Sequence, residues 1–90
     1  MDKTRKHYIF SGYVQGVGFR YRSYYAAKKY SVTGWVKNIS CGDVEMEAEG
    51  LPSDIERMLA EIYANRYTQI DKVISKTIPV ENDRSFKIID

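Results

Sequence analysis

The chain has 90 residues, 43% hydrophobic and 29% charged, a balance that excludes a disordered polymer and fits one domain, 1–90, near the lower size limit for unaided folding. Its net charge of +2, mixed in sign along the chain, is too small to argue for a nucleic-acid partner. No apolar run approaches membrane-spanning length, no secretory segment opens the chain, and the lone Cys41 cannot form an internal disulfide, which fits a reducing cytoplasm.

The polar opening MDKTRK, residues 1–6, reads as a frayed tail. His7 to Val14 then alternates. Tyr8, Phe10 and Gly12 point one way and His7, Ile9, Ser11 and Tyr13 the other, as in a strand. From Phe19 to about Tyr30 the period becomes helical, with Phe19, Ser23, Ala26, Ala27 and Tyr30 on one face. The small residues there let the helix sit close to a sheet, and Lys28 and Lys29 suit the negative end of its dipole. Val32 to Asn38 alternates again. After a turn in which Gly42 can take positive φ, Asp43 to Glu49 places Val44, Met46 and Ala48 inward and Glu45, Glu47 and Glu49 on a solvated face.

Gly50 to Pro52 breaks that hairpin. Ser53-Asp54-Ile55-Glu56 has the pattern of a capping box, with Ser53 as N-cap. Ile55, Met58, Leu59 and Ile62 form the buried stripe of a second helix ending near Asn65 or Arg66. Asp71 to Val80 reads as a strand, with Pro79 marking an edge or an end. Phe86 to Ile89 is a short last strand. The order β-α-β-β-α-β plus that strand predicts an α+β, ferredoxin-like split β-α-β sandwich, an antiparallel sheet with both helices on one face.

The chemistry concentrates in GYVQGVGFR, Gly12 to Arg20, between the first strand and the first helix. Glycines let a backbone approach a ligand closely. Successive amides in such a turn can converge on an anion, and a helix start adds unpaired donors. Arg20 supplies a planar fork that matches phosphate oxygens. Taken alone, such a turn is as readily a tight connection as a binding loop. A nucleotide P-loop would carry Lys and then Ser/Thr where Phe19 and Arg20 stand, and a dinucleotide turn needs a longer parallel unit.

Together with GWVKN at Gly34–Asn38, the motif resembles the acylphosphatase family over nearly the whole chain, from about Lys6 to the final strand. The resemblance implies metal-free, cofactor-free hydrolysis of a small acyl phosphate by a monomer. In it Arg20 binds phosphate, Asn38 orients the attacking water, and the backbone amides of Gln15, Gly16, Val17, Gly18, Phe19 and Arg20 form the cradle. Ser31 stands where relatives often carry a helix-ending glycine, so a different cap is expected there. His7 and Cys41 carry no role in this reading, and Tyr21, Tyr24 and Tyr25 line or flank the first helix. Two other readings remain open: a ferredoxin-like nucleic-acid-binding module, which the outward glutamates disfavour, and a catalytically idle phosphate-binding domain.

Overall fold

Alternation in three segments builds the centre of one sheet. In the computed structural model, which describes residues 2–89, β1 (Thr4–Tyr13) pairs antiparallel with β3 (Val44–Gly50), and β3 pairs antiparallel with β2 (Thr33–Asn38). Tyr8, Phe10, Val36, Val44, Met46 and Ala48 are buried on one face of these strands. Two helices cover that face: α1 (Phe19–Lys29), through Phe19, Ala26 and Ala27, and α2 (Pro52–Tyr63), through Ile55, Met58 and Ile62. Lys29 Nζ bonds Glu61 at 2.6 Å and the Tyr30 hydroxyl donates to the same carboxylate at 3.3 Å, tying the helices together. The ferredoxin-like reading holds.

The outer strands correct it in one respect. β4 (Gln69–Ile78) lies at one edge and β5 (Phe86–Ile89) at the other, in the order β4-β1-β3-β2-β5. β4 is antiparallel to β1, but β5 runs parallel to β2, so the sheet is mixed. The cause is the connection 79–85. β4 ends beside Arg5, at the same end of the sheet where β2 begins, and the connection crosses that end without turning back. β5 therefore starts where β2 starts.

That crossing overturns two further expectations. Of the tail expected over 1–6, Met1 lies outside the described residues, while Thr4–Lys6 belong to β1 and Arg5 is only 1% exposed. Nor is the glutamate row a solvated face. Glu49 is 1% exposed, and Glu45 and Glu47 are half-buried. Arg5 bonds Glu47 at 2.8 Å, Glu49 at 3.2 Å and Asp83 at 2.9 Å, while the Glu81 backbone N–H donates to Glu49 at 2.7 Å. The polar side of the sheet end is thus a buried ion cluster under the crossing segment. Such a cluster survives burial only because each charge has close partners.

The helix ends also differ from expectation. Ser53 is not the cap of α2: Leu51 is, and it satisfies the first turn with its carbonyl, which accepts from Asp54 at 3.0 Å and Ile55 at 3.1 Å. Pro52 then occupies the first helical position, where its missing N–H costs nothing. At the other end of α1, the Val32 N–H reaches the Ala27 carbonyl at 2.9 Å and the Ser31 N–H reaches Lys28 at 3.4 Å. This is a Schellman motif, and Ser31 takes its left-handed position at φ 57°. The expected different cap is the glycine geometry, carried by serine.

Candidate functional site

The chain leaves β1 at Tyr13 and enters α1 at Phe19 after five residues. Gly16 and Gly18 make this possible with φ of 75° and 80°, and a Cβ at either would meet no atom within 4 Å. Glycine is therefore favoured there by backbone angle, and the loop surface at both positions is open. Gly18 caps α1, and the first intrahelical bond runs from the Arg22 N–H to the Gly18 carbonyl at 2.9 Å. The amides of Phe19, Arg20 and Tyr21 precede it and have no acceptor within the helix. α1 carries no acidic residue in its first turn, so its positive end is not neutralised from within.

Packing fixes this loop to the core. Val14 and Phe19 are buried, and the Phe19 ring lies 5.1 Å from that of Phe10. The Ser23 hydroxyl donates to the Phe19 carbonyl at 2.8 Å, holding the first turn. The Gln15 amide donates to two carbonyls, Ile39 and Asp43, each at 2.8 Å. Those carbonyls flank the turn that follows β2, a single 3-10 turn at Ser40–Gly42.

Asn38 is the last residue of β2, on the same sheet face as Val36. Its Oδ1 is buried and has no hydrogen-bond partner among the described residues. A buried acceptor left unsatisfied costs on the order of 1–3 kcal/mol, so it marks a place where a donor belongs. Val14, Gly16, Gly18, Phe19, Arg20, Tyr21 and Asn38 line one cavity of about 230 Å³. Arg20 and Asn38, 18 residues apart in sequence, are thereby brought to one pocket at the mouth of a helix.

Of the residues expected to offer amides, Gly16, Gly18, Phe19 and Arg20 line this cavity; Gln15 and Val17 lie outside its lining. Sequence reasoning missed the side chain of Gln15 as a brace between loop and turn, and it left Tyr21 on the helix flank. The one signal for Gln15 was a side chain with two donors inside a glycine loop. His7 sits on the open face of the sheet, 2.7 Å from Glu45. Cys41 is exposed, in the turn beyond Asn38, with φ 72°. Among the described residues no group of three or more His, Cys, Asp or Glu side chains could hold a metal ion, and no helix is long and apolar enough to cross a membrane.

A family model described as acylphosphatase matches residues 6–88. An acylphosphatase of Clostridium acetobutylicum is 44% identical over 80 residues, spanning 87% of this chain and 88% of that relative. A crystal structure of acylphosphatase from Bacillus subtilis superposes with a TM-score of 0.89 at 29% identity, covering 97% of this chain and 99% of that one. An acylphosphatase structure from Coxiella burnetii gives 0.88 at 34% identity, with 98% and 94% covered.

Proposed function

Because this chain belongs to the acylphosphatase family, we propose that the pocket shared by Arg20 and Asn38 is where it hydrolyses the carboxyl–phosphate bond of small acyl phosphates. The amides of the Gln15–Arg20 loop, foremost those of Gly16, Gly18, Phe19 and Arg20, together with the Arg20 guanidinium, hold the three non-bridging oxygens. Phosphoryl transfer asks mainly for positioning and charge stabilisation, and these groups supply both. Asn38 Oδ1 accepts a hydrogen bond from the attacking water and aims its lone pair at phosphorus, in line with the leaving oxygen. As the new P–O bond forms, the bond to the acyl oxygen breaks. The carboxylate departs with that electron pair, and the water's proton ends on the phosphate.

A carboxylate is already a stable anion at neutral pH, so neither a general acid nor a metal ion is required for its departure. The exposed single cysteine suits a reducing compartment, and we place the enzyme in the cytoplasm.

The single observation that carries the site assignment is that Arg20 and Asn38 line one cavity, with Asn38 Oδ1 buried and without a hydrogen-bond partner among the described residues. The test is hydrolysis of benzoyl phosphate by wild type, Arg20→Gln and Asn38→Ala, with inorganic phosphate as a competing ligand. Arg20→Gln is expected to lose both turnover and phosphate binding. Asn38→Ala is expected to bind phosphate normally and turn over about 100-fold or more slowly, the scale of a lost transition-state donor. Full activity in Asn38→Ala would remove it from the mechanism.

A further inference from the structure

A second and larger concavity adjoins the pocket. It is a groove of about 620 Å³ between the two helices, beginning at Val17 and Gly18 and running along Tyr21 and Tyr25 to Tyr67. Gly18 and Tyr21 line both the groove and the phosphate pocket, so the two are neighbours; Asn38 lines only the pocket. We propose that this groove holds the acyl group of the substrate and favours aromatic acyl phosphates over short aliphatic ones.

Two observations converge on that occupant. In-line displacement puts the leaving group on the side of phosphorus away from the attacking water. With the water at Asn38, the acyl group departs toward the part of the site that Asn38 does not line. The groove is also walled by phenol rings that the fold leaves uncovered: Tyr21, Tyr25 and Tyr67 are 61%, 67% and 62% exposed. Aromatic rings offer large, rigid contact area and stack on other rings.

This inference rests on the pocket assignment above, and the test separates the two. Initial rates on benzoyl and acetyl phosphate are measured for wild type, Tyr25→Ala, Tyr67→Ala and Arg20→Gln. Both tyrosines are exposed, so their loss should not disturb folding, which a melting curve checks. The ratio of kcat/KM for benzoyl over acetyl phosphate should fall about three- to tenfold in each tyrosine variant, through KM for the benzoyl substrate, as expected for a lost aromatic contact. A ratio within error of wild type in both variants, or equal losses on the two substrates, overturns the groove. If Arg20→Gln also keeps wild-type rates on acetyl phosphate, the pocket assignment falls as well. If Arg20→Gln is inactive while the ratio stays fixed, only the groove falls.

Discussion

The Gln15 side chain donates a 2.8 Å hydrogen bond to the carbonyl of Ile39, the residue after Asn38. Its second proton goes to Asp43, across the same turn. The phosphate loop and the end of β2 are therefore one body, although 24 residues separate the two bonded positions. Gln15→Ala should cost about 1–2 kcal/mol of stability, the net worth of two hydrogen bonds. It should also lower kcat about tenfold, since a shift of under 1 Å between Arg20 and Asn38 spoils alignment. Phosphate affinity should change little. Steady-state kinetics beside a denaturant melt would show it, and an unchanged kcat would reduce Gln15 to a structural role.

Arg5 is the buried centre of the ion cluster beneath segment 79–85. Arg5→Ala leaves Glu49, itself 1% exposed, without its cation. Removing one member of a buried pair costs about 3–5 kcal/mol. Much of that loss should return in the double variant Arg5→Met/Glu49→Gln, because Glu49, the most buried of the carboxylates that Arg5 pairs, is then neutral. Urea melts of both variants check this, and equal losses would mean that packing, not charge, sets the cost.

Ser31 holds a left-handed backbone at φ 57° that glycine adopts without strain. Ser31→Gly should stabilise the fold by about 0.5–1 kcal/mol, or roughly 3–6 °C in Tm for a domain this size. Ser31→Val, branched at Cβ, should move Tm down. Thermal denaturation by circular dichroism tests both signs.

Burial pushes the Tyr8 hydroxyl up to about 12, against an ordinary value near 10. A folded-state pKa above the unfolded one gives stability that is complete below pH 10 and lost as pH rises through 12. The loss across that window should be about 2–3 kcal/mol. It should be missing in Tyr8→Phe, which keeps the ring stacked on Phe10. Equal alkaline slopes in the two proteins would show that Tyr8 does not set the limit.

Much of the site was legible in the chain because its parts are local. Two glycines at this spacing permit a left-handed loop at low cost, and a helix that begins at Phe19 leaves its first amides without acceptors inside that helix. Alternation in three segments likewise determined which side chains face the helices, since strand period depends on neighbouring residues alone. Four things came only from the tertiary structure: the Gln15 brace, the burial of Arg5 and Glu49, the parallel partner of β5, and the groove running from the phosphate loop along the tyrosines. Each depends on which distant backbone lies alongside, and Arg5 meets Asp83 across 78 residues. A polar side chain at a sheet end looks solvated in sequence whether or not a crossing segment covers it; here only the path of 79–85 over that end decides.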